Sequence, residues 1–235
     1  MKYNNTSFAL ACIMDEMKSI EKKKENYLQK VSEVMEPNYL RTYSAEHQEN
    51  ERLRLNTAYL AALVKDVPEL TKRCDDLRAA FEKDIAAKTD TSATVQLCVN
   101  YLAVAGGDFE PGYMEIIGEP LRAAGDIRSM REIRRLCEAR KGDAKEIPFS
   151  DIMGDYNELV ELSRKLELIC NGVVQQLPAA DVDVDIVAAA SPILDKWGVV
   201  NLIDYAGGIK AAIDGEKYTP AAPAAFGAFN FAPVR

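Results

Sequence analysis

Histidine is nearly absent from this chain: His47 is the only one in 235 residues, and that scarcity sets aside the commonest catalytic and metal-binding chemistries. Nucleophilic triads and the usual zinc sites need an imidazole close to Ser, Cys or further histidines. His47 instead stands in a Glu- and Gln-rich stretch at the start of a helix. The five cysteines, Cys12, Cys74, Cys98, Cys137 and Cys170, are odd in number and never closely spaced. Neither a disulfide framework nor a zinc site follows from them. Most fall at apolar positions of helical patterns, where a free thiol serves as a small hydrophobe, and a reducing compartment is expected.

Long apolar runs are missing too. Phe8 to Met14 meets Asp15 and Glu16 at once and has no small-residue cleavage site, so it reads as helix rather than signal peptide. Val95 to Ala105 is interrupted by Asn100 and falls short of the roughly 20 residues that span a bilayer. Nor is positive charge in excess, since 29 Lys and Arg stand against 37 Asp and Glu for a net charge of −8. That balance opposes general binding of nucleic acid or an anionic membrane by the whole surface. The expectation is a soluble protein, cytoplasmic or held within an assembled particle.

Loops that cradle ligands are equally scarce. Gly106-Gly107 and Gly207-Gly208 lack a following Lys-Ser/Thr and form no GxGxxG string, so they read as hinges or caps rather than phosphate loops. Asp181, Asp183 and Asp185 begin like a calcium loop, but Ile186 and Pro192 occupy the places that need Gly and Glu. Carboxylates are plentiful, as they are on any acidic coiled coil without catalysis. No catalytic residue, cofactor site or metal ligand is assigned, and the chain does not read as an enzyme.

What the chain does have is heptads. Leu53, Leu60, Val67, Cys74 and Phe81 fall at a, and Leu63, Leu70 and Leu77 at d, of one seam. A second runs from Ser7 to Glu36, with Leu10, Met17, Lys24 and Val31 at a and Ile13, Ile20, Tyr27 and Val34 at d. Pro37 stops that helix, and Ser44 can cap the next. Folding the chain about residue 40 makes facing positions sum to about 80. Met17 then faces Leu63, Ile13 faces Val67, and the polar Lys24 and Asn56 fall level with each other, as a register-fixing pair would. Nearer the turn the match fails, because Val31 and Val34 face Glu49 and Glu46, so either something else covers that end of the hairpin or the register is off by a turn. Pro68, flanked by Asp66 and Glu69, marks a kink or restart.

Thr91 and Ser92 start a helix that is apolar nearly all round and should be buried. Tyr113 to Lys141 resumes as helix with interruptions at Gly118, Pro120 and Gly125. Its second half crowds Arg128, Arg131, Arg134, Arg135 and Arg140 around an apolar stripe. This basic patch could meet the phosphates of nucleic acid, but Glu132 and Glu138 lie among the arginines and no aromatics are interleaved. A structural or protein-contact role is the expectation. After Ser150, a good cap, Ile152, Tyr156, Leu159, Leu166, Cys170, Val173 and Leu177 make a third seam broken only by Ser163. Beyond Pro178 come Ala-rich sequence, a Ser191-Pro192 helix start, the lone Trp197, and short elements punctuated by Gly207-Gly208 and Asp214-Gly215.

The expected fold is therefore mainly α: a long antiparallel, coiled-coil-like hairpin packed with a helical bundle, plus an extended C-terminal tail. The divisions are a hairpin over 1–90, a helical body over 91–178, a small Ala-rich helical region over 179–217, and a Pro/Ala linker with a Phe-rich docking tail over 218–235. Phe226, Phe229, Phe231 and Arg235 are the partner-binding candidates. Three aromatic anchors after a semi-rigid spacer could offset the ordering of a short peptide. The expected function is structural: an assembly protein that oligomerises or bridges protein partners through helical faces and that tail. The alternative is a nucleic-acid-associated protein using the arginine-rich helix 127–141. In layout the chain resembles small acidic helical assembly proteins of bacteriophage virions or cytoplasmic complexes, a likeness with no motif behind it.

Overall fold

Long heptad runs and sparse Gly and Pro give long helices, and two dominate the molecule: α1 (Asn4–Val34) and α3 (Ala45–Ile85). The computed structural model describes residues 2–141, 147–176 and 199–219. Among them every regular element is an α-helix, so the protein is mainly α. Between the long helices lies the short α2 (Pro37–Thr42). Then follow α4 (Ser92–Ala105), α5 (Pro111–Ile117), α6 (Glu119–Ala124), α7 (Ile127–Lys141), α8 (Met153–Gln176) and α9 (Val199–Asp214). No helix among the described residues is long and apolar enough to cross a membrane. By packing, the described residues form two units, one of residues 2–77, 169–176 and 199–219 and the other of residues 78–141 and 147–168. The divisions fall inside α3 and α8 rather than in the loops near 90 and 178, because one long helix can supply side chains to two cores.

In the first unit the heptad positions are buried as their spacing demands: Leu10, Ile13, Met17 and Ile20 on α1, and Leu63, Leu70, Cys74 and Leu77 on α3. Lys23 Nζ donates to Asp66 at 2.7 Å, and the rings of Tyr27 and Tyr59 stack with centroids 4.6 Å apart. Residue numbers rise along α1 as they fall along α3, so these two helices run antiparallel. The register is not the one expected, however. The numbers of the two pairs add to 89 and 86 rather than about 80, a slide of about one heptad. Lys24 and Asn56 are therefore not level with each other. Val34 on α1 and Leu55 on α3 are both buried.

Material inserted at the turn explains the slide. Helix α2 occupies it, and the first turn of α3 packs on α2. Gln48 donates to the carbonyls of Leu40 and Tyr43, while Tyr43 and His47 stack at 4.7 Å. Ser44 caps α3 as expected, its hydroxyl accepting the His47 N–H at 3.3 Å, a bond worth about 1 kcal/mol. Pro68 neither ends nor restarts α3, which runs through it. The Asp66 carboxylate is taken by Lys23 and is not free to cap.

Helices α8 and α9 complete this unit. The thiols of Cys74 and Cys170 each point at the other's carbonyl, at 3.9 and 3.8 Å, which sets α3 against α8. Helix α9 lies along α1, where Ser7 donates to Asp214 at 3.0 Å and Lys210 reaches the same carboxylate at 2.6 Å. Gly207-Gly208 does not break this helix as the sequence suggested. The Tyr218 ring packs into the space a Cβ at Gly207 would need, so the missing side chain is used for close approach rather than a bend.

The second unit closes around Cys98, Leu102, Phe109, Met114, Leu121, Met130, Ile133, Cys137, Phe149 and Ile152. The expected breaks at Gly118, Pro120 and Gly125 are all realised as helix boundaries. Gly125 takes φ +70°, which lets the Asp126 N–H reach back to the Leu121 carbonyl at 2.9 Å and close α6 in the manner of a Schellman turn. Asp126 then caps α7 by accepting the Ser129 N–H at 3.0 Å and takes the Thr91 hydroxyl at 2.6 Å. Ser150, by contrast, is not the cap of α8. Its hydroxyl donates to the Ile147 carbonyl and accepts from Arg134.

Candidate interaction surfaces

Helix α7 carries the basic patch, and four of its five arginines are engaged within the chain. Arg128 forks onto Glu82 at 2.9 and 3.1 Å. Arg131 and Arg134 converge on Glu138 at 3.3 and 2.8 Å. Arg131 also lies over the Tyr156 ring at 5.8 Å, and Arg134 donates to the Pro148 carbonyl and Ser150 hydroxyl. Arg135 pairs with Glu132 at 2.7 Å and holds that carboxyl below its ordinary value. Arg140 is exposed. Burial pushes the Cys137 thiol up to about 11 against the pull of Arg140, and burial raises Cys98 too. Both thiols therefore stay protonated and packed rather than nucleophilic.

One polar constellation was not visible in the sequence. Phe149 is buried with φ +58°, a conformation a bulky residue adopts only when its surroundings impose it. Glu115 accepts its N–H at 2.5 Å. Arg122 stands 5.6 Å from the ring centroid while binding Glu115 and Asp151. Hydrogen bonds from Arg122 depress the Asp151 carboxyl. Gly118 lies beneath, where an added Cβ would collide with the ring and come 3.0 Å from the Met114 carbonyl. Glu115, Arg122 and Asp151 are bonded to one another and to the Phe149 backbone, so the cluster fastens the segment leading into α8.

The apolar side chains are not all spent. Helix α4 was expected to be buried all round, yet only Cys98 and Leu102 are fully inside. Leu97 is 53% exposed and Val104 90%. On α5, Tyr113 is 48% exposed and Ile116 70%. Tyr101 meets Tyr113 edge to face at 4.9 Å, joining the two helices' outer sides. The sequence misled here because a run without charge reads as interior, whether it is interior or an uncharged surface. A second set, Leu28, Met35, Leu40, Tyr43 and Leu53, is exposed on α1 to α3.

Phe226, Phe229, Phe231 and Arg235 lie outside the described residues, as do the Asp181 to Asp185 alternation and Trp197. His47 stacks against Tyr43 and Tyr39. Among the described residues no group of three or more His, Cys, Asp or Glu side chains is placed to hold a metal ion. These features define a mainly α protein whose recognisable surfaces are helical faces. Its sequence matches no family model, no curated protein and no solved structure.

Proposed function

We infer that this chain is a structural or assembly protein, non-enzymatic, which oligomerises or bridges protein partners through helical faces and its Phe-rich segment. The observation that carries this reading is the disposition of side chains on the outer helical faces. Four arginines of α7 pair with carboxylates of the chain, while large apolar groups such as Val104 and Ile116, at 90% and 70% exposure, face outward. Clustered exposed apolar surface marks sites of protein contact. A place in a bacteriophage particle or a cytoplasmic complex fits the same disposition. The nucleic-acid reading has less support, because Arg128, Arg131, Arg134 and Arg135 each already hold a carboxylate, leaving little uncommitted positive charge for phosphates.

Deleting residues 224–235 tests the reading. Far-UV circular dichroism of the shortened chain is expected to keep nearly all the helical signal, while its mass in solution falls or partner binding is lost. Unfolding, or a large drop in melting temperature, would instead make the segment part of the core and remove it as a docking peptide.

A further inference from the structure

The charge map of the sequence isolates two stretches. In a chain where 28% of residues are charged, residues 91–107 and residues 218–234 are each 17 residues long without an Asp, Glu, Lys or Arg, and no other uncharged stretch is as long. The first is helix α4 with its flanks. The second contains Phe226, Phe229 and Phe231 and is followed by Arg235, its nearest cation after Lys217. An uncharged helix is ordinarily interior. This one instead holds Leu97 and Val104 outward at the spacing of one helical face, with Tyr101 between them. The Tyr101–Tyr113 contact continues that face onto α5 and Ile116.

We propose that the face formed by Leu97, Tyr101, Val104, Tyr113 and Ile116 is the acceptor for the Phe-rich segment, Phe226 to Arg235, of a second copy of this chain. The inference rests on the assembly reading above and names its receptor. Chemistry matches on both sides: apolar and aromatic groups with no charge to desolvate at the centre, where binding energy concentrates. At the rim, exposed Asp108, Glu110 and Glu119 complement Arg235. The spacer also fits. Six residues of Pro and Ala, 220–225, separate the last described residue from the first anchor, enough to reach about 20 Å outward in an extended chain. The exposed set on α1 to α3 fits this occupant less well, because Glu33, Glu36, Arg41, Glu49 and Arg52 are interspersed with it.

Donor and acceptor are different surfaces, so each copy offers one of each. Such a heterologous contact closes into rings or propagates into chains rather than stopping at two. That property gives the test. Two full-length variants are made, V104D/I116D with the acceptor spoiled and F226A/F229A/F231A with the donor spoiled. Val104 and Ile116 are exposed enough for the fold to tolerate the change, which circular dichroism checks. In sedimentation velocity the unaltered protein is expected to pass beyond dimer as concentration rises. Each variant alone should associate at least about tenfold more weakly, and an equimolar mixture of the two should form a one-to-one dimer and stop there.

If V104D/I116D assembles as the unaltered chain does while the phenylalanine variant does not, the segment docks elsewhere: this inference fails and the assembly reading stands. If the unaltered chain stays monomeric throughout, both self-association and this acceptor are overturned. A photo-crosslinking side chain at position 229, in a mixture of isotopically light and heavy copies, decides between copies. Light-to-heavy products on residues 97–116 support the proposal, and products confined to single chains overturn it.

Discussion

Phe149 shows how a single residue's conformation is held by its neighbours. Its φ of +58° costs on the order of 1–3 kcal/mol, offset by the burial of its ring, the Glu115 carboxylate on its N–H and the bare Cα of Gly118 under the ring. Gly118→Ala forces a methyl group against that ring and is expected to destabilise the protein by about 1–3 kcal/mol, read as a lower urea midpoint with unchanged slope. Asp126 supplies a pH dependence. Burial works to raise its pKa, but hydrogen bonds from Thr91 and Ser129 outweigh burial and bring it below its ordinary 3.8. A carboxyl depressed in the folded state adds stability above its ordinary value and loses it as the pH falls through the folded one. Asp126→Asn should therefore lower the melting temperature at neutral pH, and the gap to the unaltered protein should narrow progressively below about pH 4. A gap that stayed constant into acid would mean the charge contributes nothing.

At the scale of elements, the Lys23–Asp66 pair reports the register of α1 on α3. Asp66 is nearly buried and Lys23 partly so. Lys23→Met then leaves a carboxylate without its ammonium and should cost about 1–3 kcal/mol, while Lys23→Met with Asp66→Leu should recover most of that. A double-mutant cycle with no coupling would contradict the register. Apolar periodicity and local chemistry could predict the mainly α class, the seam residues Leu10, Ile13, Met17 and Ile20 with Leu63, Leu70, Cys74 and Leu77, and the caps at Ser44 and Gly106. It did not settle the register: most seam positions pair equally well after a slide of one heptad, and only the mismatch of Val31 and Val34 with Glu49 and Glu46 near the turn spoke against the one expected. The choice was made by α2 at the turn and by a lysine and an aspartate 43 residues apart. The Phe149 cluster was likewise out of reach, as Glu115, Arg122 and Phe149 share no spacing pattern. The outward side of α4 was misjudged because composition does not distinguish a helix inside a protein from one that turns an uncharged face outward.

For the whole molecule, the proposal is of a helical protein that pairs part of its charge within the chain and associates with other chains through exposed apolar faces. Lysines, arginines and carboxylates pair along and between helices, and exposed pairs of this kind add only about 0.2–1 kcal/mol each to stability. The uncharged face of α4 and α5, together with the Phe-rich segment, is where association is expected. Sedimentation equilibrium of the full chain at physiological salt, over a wide range of protein concentration and with absorbance at 260 nm followed alongside, tests this most directly. The account predicts a mass that climbs above the 26.0 kDa of one chain as concentration rises, with no nucleic-acid absorbance travelling with it. A mass fixed at 26.0 kDa at every concentration, or nucleic acid that co-sediments and is released by salt, would contradict it.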